Sequence, residues 1–140
     1  MLSCFAPAKQ KLFGMKFLGN VLWILLGGLI ISLYYFVVGL LFCITIIGIP
    51  FGYQLFKMAG FALWPFGREV VSNANDNGCL AIFMNVIWIL VGGIEIAMMH
   101  ITAGVIFCIT IIGIPFGLQH FKMAFMALIP FGKEIVPSTK

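Results

Sequence analysis

Residues 17–64 form an apolar stretch 48 residues long, interrupted only by scattered polar side chains such as Asn20, Gln54 and Lys57. Coiled into one straight helix it would reach about 72 Å, against a bilayer hydrocarbon core of about 30 Å. The stretch must fold back, and two sites invite a turn. One lies near Gly39, after the aromatic run Tyr34-Tyr35-Phe36, which suits a membrane–water interface. The other is Gly48-Ile49-Pro50-Phe51-Gly52, where proline removes a backbone donor and clashes with the preceding turn. A turn at the first site and a kink at the second predict helices over residues 17–37 and 40–63. The alternative is one long helix up to the Gly-Pro-Gly break. A short helix over residues 53–64 would then re-enter or lie along the interface, with Gln54 and Lys57 on one face.

The pattern returns 65 residues later. Residues 20–71 align with 85–136 without a gap, and 32 of the 52 positions are identical. The run FCITIIGIPFG of residues 42–52 recurs unchanged at 107–117. Gly104, after His100, and Gly113, Pro115 and Gly117 repeat the turn sites, so helices are expected over 82–102 and 105–128. Lys57 and Arg68 are matched by Lys122 and Lys133. An odd number of crossings per copy would invert the copies and place one basic pair outside, against the preference of basic loops for the cytoplasm.

The expectation is therefore an all-α integral membrane fold. It has four transmembrane helices from two parallel tandem repeats, related by an axis along the membrane normal, with Gly/Pro-broken second helices. Each copy ends in Pro-Phe-Gly followed by Arg68-Glu69 or Lys133-Glu134. Val70-Val71 and Ile135-Val136 then favour extended backbone, so two short strands are expected to pair at the cytoplasmic face. The chain divides into a basic cytoplasmic lead (1–16), repeat one (17–71), a polar linker SNANDNG with the start of the second copy (72–84), repeat two (85–136) and a tail (137–140). Both termini are expected in the cytoplasm, with Cys4 and Cys79 on that side.

Composition agrees with the pattern. The chain is 63% hydrophobic and 9% charged, where soluble domains carry about 25% charged residues. Its net charge of +4 is dispersed. With no basic run or stripe, nucleic acid is excluded as a partner. The apolar run after Lys9, Lys11 and Lys16 is too long for a signal peptide and no small-x-small cleavage site follows, so it reads as an uncleaved first span. None of the four cysteines forms a C-x-x-C pair, and no metal or cofactor is expected. G-x-S-x-G, H-E-x-x-H and P-loop motifs are all missing, which argues against an enzyme.

Several residues are candidates for function. Gly48-x-x-x-Gly52 and Gly113-x-x-x-Gly117 have the spacing that lets helices approach closely, but the prolines within them favour a break that repacks the helix or lines an ion path. Gly27-Gly28 and Gly92-Gly93 read as close-packing sites. Glu95, whose repeat mate is Ile30, falls mid-span, where a carboxylate is costly. His100 is five residues further on, at a poor angle for pairing with Glu95. Asn20, Asn85, Thr45 and Thr110 recur in both copies as interhelical hydrogen-bonding or pore-lining groups. Lys57, Lys122, Arg68 and Lys133 are expected at headgroup level, and His120 at the interface beside Lys122.

The doubled core ITIIGIPFGxQxFKMAxxALxPFG[RK]E[IV], carried by residues 44–70 and 109–135, resembles the YccF family, the inner membrane component domain. The resemblance covers nearly all of residues 17–136. It implies a small multi-pass protein of the bacterial inner membrane and brings no activity, substrate or site residue with it. The residues themselves point to a homo-oligomer in the lipid bilayer that forms a channel or permeation pathway for an inorganic ion. The alternative is a non-transporting structural or accessory protein that binds lipid or a partner complex.

Overall fold

The computed structural model describes residues 6–73 and 78–139, with side chains from residue 11 onward. Cys4, the Lys9 side chain, residues 74–77 of the linker and Lys140 lie outside the described residues. Helix α1 (Ala6–Trp23) leads through a widened turn, Ile24–Gly28, into α2 (Leu29–Cys43). A tight turn then leads to α3 (Ile49–Leu63) and strand β1 (Arg68–Ser72). The second copy repeats the order as α4 (Cys79–Trp88), a widened turn Ile89–Gly93, α5 (Ile94–Ile109), α6 (Ile114–Leu128) and β2 (Lys133–Pro137). The fold is mainly helical, with two long apolar helical stretches, Lys11–Cys43 and Cys79–Ile109.

The turns fall elsewhere than the expected spans place them. Gly39 is buried in the middle of α2 and turns nothing. Its hydrogen-only side lets the return helix approach, since a Cβ on Gly39 would meet the Phe56 ring at 2.8 Å and the Gly52 carbonyl oxygen at 3.2 Å. The hairpin turn lies at residues 44–48, and Pro50 occupies the first turn of α3 rather than a mid-helix kink. Proline suits that place because its missing N–H would be unpaired there anyway. The alternative reading, a long helix up to the Gly-Pro-Gly break and a short helix after it, is nearer to the observed order. The Gly48-x-x-x-Gly52 spacing serves this hairpin within the chain.

The first helix carries the break that the sequence concealed. Gly27 has φ +127°, a conformation L side chains rarely adopt. Next to it, a Cβ on Gly28 would run into the Trp23 indole. That indole Nε1 donates to the Ala62 carbonyl at 2.7 Å, which ties the end of α1 to the end of α3. Gly27-Gly28 is therefore a helix break held by a tryptophan, with Gly92-Gly93 and Trp88 as the counterpart, Nε1 donating to Ala127. Along the hairpin Ser32 Oγ donates to the Ala59 carbonyl at 2.8 Å, and Phe36 packs on Phe56.

The two expected strands form one antiparallel pair in which Val70 lies opposite Ile135. These two are repeat mates, 65 apart. Mates can face each other only on the axis that relates the copies, so a pseudo-two-fold axis passes through the sheet. It emerges at a second mate pair, Tyr35 and His100, which touch. Around it α3 and α6 run in opposite directions. Phe51, at the start of α3, packs on Trp88 and on Phe131 beyond the end of α6. Phe116, at the start of α6, packs on Trp23 and on Phe66 beyond the end of α3. Met58, Phe61, Met123 and Met126 fill the space between, against Tyr35.

Candidate functional site

The asparagines and threonines that recur in both copies are spent on the fold's own backbone. Asn20 is fully buried. Its Nδ2 donates to the Phe66 carbonyl and its Oδ1 accepts from the Phe66 N–H, both at 2.9 Å. Asn85 makes the same pair of bonds to Phe131, both at 3.0 Å. Each asparagine thus satisfies both backbone groups of the residue where chain leaves helix for strand. Thr45 Oγ1 donates to the Phe42 carbonyl at 3.2 Å and accepts from Gly48 N–H at 3.1 Å. Thr110 Oγ1 donates to the Phe107 carbonyl at 2.9 Å. Both threonines sit at exposed hairpin tips, away from the axis.

The break at Gly92-Gly93 makes Glu95 a first-turn residue of α5, within the apolar stretch Cys79–Ile109. A carboxylate there faces the positive end of the helix dipole. It is exposed beside a small groove of about 170 Å³ with Tyr34, Val38 and Trp88, and forms no ion pair with His100.

The basic residues gather around the sheet. Lys57 Nζ donates to the Lys133 carbonyl at 2.8 Å, Lys133 Nζ to Ser72 Oγ at 2.7 Å, and Arg68 Nη1 to the Gly60 carbonyl at 3.1 Å. Lys122, the mate of Lys57, lines a groove with Glu69, Val70 and Phe125. Lys57 and Arg68 thus hold the sheet to α3 beneath it and Lys133 ties the two strands together, a role that the expectation of headgroup contact did not include.

The densest buried polar cluster was not anticipated. His120, expected at the interface, is buried, as is His100. Tyr35 Oη bonds His100 Nε2, and His100 Nδ1 lies 3.0 Å from His120 Nδ1. Counting donors leaves two arrangements of the protons. If Tyr35 donates to Nε2, His100 carries its proton on Nδ1 and donates to His120, whose own proton then sits on Nε2. In the reverse arrangement His120 donates to His100 and His100 to the tyrosine oxygen, so the tautomers of the two rings are set together. Aromatic rings close over the chain, with Trp23 4.9 Å and Phe107 5.4 Å from His120 between ring centroids. A groove of about 320 Å³ with an almost wholly apolar lining, including Ile30, Ile31, Tyr34 and Met99, opens beside it. Gln54 and Gln119, also mates, each keep a buried side-chain oxygen without a hydrogen bond. Among the described residues no group of three His, Cys, Asp or Glu could hold a metal.

The geometry defines a two-fold, lipid-exposed helical protein built from a tandem duplication. The inner membrane component domain family, YccF, matches twice, at residues 18–68 and 83–133. The inner membrane protein YccF of Escherichia coli K12 is 31% identical over 125 residues, covering 84% of each chain, and the Shigella flexneri protein matches equally. The chain belongs to the YccF family and is an inner-membrane protein. No solved structure matches it.

Proposed function

We propose that the chain is a non-transporting, non-enzymatic structural component of the inner membrane whose main partner is lipid. The observation that carries this reading is the use of the recurring polar groups. Asn20, Asn85, Thr45 and Thr110 are bonded to backbone, and Tyr35, His100 and His120 are buried and bonded to one another. A permeation path needs polar groups left free for a passing ion, and these residues offer few. The exterior is aliphatic along α2, α5 and both hairpin turns, which suits contact with acyl chains. The charged sheet suits the cytoplasmic face.

One observation favours the competing reading, an oligomeric ion channel: Glu95 is an exposed carboxylate among apolar neighbours, where a second copy could enclose it. Flux measurements separate the two. Purified protein in liposomes is expected to pass K⁺, Na⁺, Ca²⁺ and Cl⁻ no faster than empty liposomes. Flux of any of these ions that changes preference in Glu95→Gln would overturn the structural reading and establish the channel.

A further inference from the structure

We infer that the two helical hairpins, α2–α3 and α5–α6, lie within a single leaflet of the bilayer and do not cross it. The inference deepens the lipid-partner reading above and rests on it.

The axis sets the orientation. At one end it passes through the sheet, whose residues include Arg68, Glu69, Lys133 and Glu134. Charges there are costly in hydrocarbon, so this end faces water and the axis stands along the membrane normal. A two-fold rotation keeps the component of a helix along its axis and reverses the component across it. Mates that run in opposite directions, as α3 and α6 do, therefore have more of their length across the axis than along it. Each leans by more than about 45° from the normal, so a 15-residue helix about 22 Å long climbs at most about 16 Å. That is about half of a hydrocarbon core of about 30 Å. α2 packs antiparallel along α3, from Ser32 on Ala59 to Gly39 on Gly52, and shares its tilt.

Length points the same way. α2 and α3 have 15 residues each and α5 has 16, whereas a straight crossing takes about 20. The long helix that could have crossed is interrupted at Gly27.

The tips identify the surroundings. Ile46 and Ile47 are 87% and 83% exposed, and Ile111 and Ile112 are 85% and 86% exposed. Such tips are unsuited to water. They are suited to hydrocarbon, and four N–H groups of the turn are paired within it. Ile44 N–H donates to Leu41, Thr45 N–H to Phe42, Gly48 N–H to Thr45 and Ile49 N–H to Ile46. The Thr45 hydroxyl adds one bond in each direction. Irregular backbone at membrane depth needs this kind of internal pairing. The hairpins thus form two blunt apolar arms directed sideways beneath a charged cap, a shape that displaces acyl chains in one leaflet only.

Cysteine accessibility tests the inference in full-length protein whose native cysteines are replaced by serine. Single Ile46→Cys, Ile47→Cys and Ile111→Cys variants are compared with Ser72→Cys on the sheet. The tip side chains project away from the protein, so their replacement leaves packing intact. A membrane-impermeant maleimide is applied to spheroplasts and to inverted vesicles. Ser72→Cys is expected to label from one side only, and the tip cysteines at less than a tenth of its level from either side. A fluorophore at the tips is expected to be quenched more by phospholipid brominated near the headgroup end of its chains than by lipid brominated near the methyl end. Labelling of the tips from the side opposite Ser72→Cys would establish crossing hairpins and overturn the inference. So would free labelling from the same side, or deeper quenching near the methyl ends. Ion flux is scored separately in liposomes. Tips accessible from the far side without flux would refute only the single-leaflet arrangement, and flux with inaccessible tips would refute only the non-transporting function.

Discussion

Replacing Asn20 by alanine separates a structural asparagine from a pore-lining one. The native side chain donates to and accepts from the same residue, Phe66, at 2.9 Å each way, and is wholly buried. Truncation leaves two backbone groups without partners. Each orphaned group costs about 1–3 kcal/mol, so Asn20→Ala is expected to lower stability by about 2–6 kcal/mol, a large fraction of the stability of a small protein. Asn20→Asp keeps the acceptor but sets a carboxylate against the Phe66 carbonyl, and falls within the same range. Asn85 forms the same two bonds but is only half-buried, so surrounding molecules replace part of what is lost. Asn85→Ala is expected to cost less than Asn20→Ala. The assay is reversible unfolding in mixed detergent micelles followed by tryptophan fluorescence, with Trp23 and Trp88 as buried reporters. An Asn20→Ala protein within about 0.5 kcal/mol of the parent, the range of a neutral surface change, would refute the reasoning. An ion flux altered at unchanged stability would place Asn20 in a pore instead.

Three further outcomes are expected from the same unfolding measurement. Gly28→Ala drives a methyl group into the Trp23 indole and is expected to destabilise by about 1–3 kcal/mol. Gly60→Ala, with open space around it, is expected to stabilise α3 by about 0.5–1 kcal/mol; equal effects at the two glycines would refute the account of the break. Tyr35→Phe removes the hydroxyl bonded to His100 Nε2 and is expected to cost about 1–3 kcal/mol, whereas a neutral result would show that the buried chain is not held from that end. His100→Tyr sets two tyrosines face to face on the axis, and adding Tyr35→His is expected to recover part of the loss; a double variant no better than the single one would argue against the two-fold pairing.

Much of this protein was legible from residue types alone, for a physical reason. Hydrophobic content reports the solvent a chain needs, so the membrane followed from composition and from residues 17–64. The repeat implied two related halves, and the β-favouring pairs Val70-Val71 and Ile135-Val136 became the antiparallel strands. Turn position was not legible. Gly39 and Gly27 are both glycines in apolar runs, and periodicity cannot say which one packs and which one breaks. That choice rests on Trp23 reaching Ala62 from Gly28 and on Gly39 lying against Gly52, contacts between residues distant in sequence.

The polar chain carried a signal that was overlooked. Tyr35 and His100 are mates that differ. Where mates meet on a two-fold axis, identical residues would oppose like groups, and divergence lets a donor face an acceptor. Glu95 also diverges from its mate, but it lies off the axis, where divergence has no such meaning. The sequence by itself determined the solvent, the duplication and the strands, because these depend on side-chain chemistry and local backbone preference. Only the tertiary structure decided where the helices break, which polar groups are consumed by the backbone and how steeply the hairpins lean. Each of these depends on which surfaces meet across the two-fold axis.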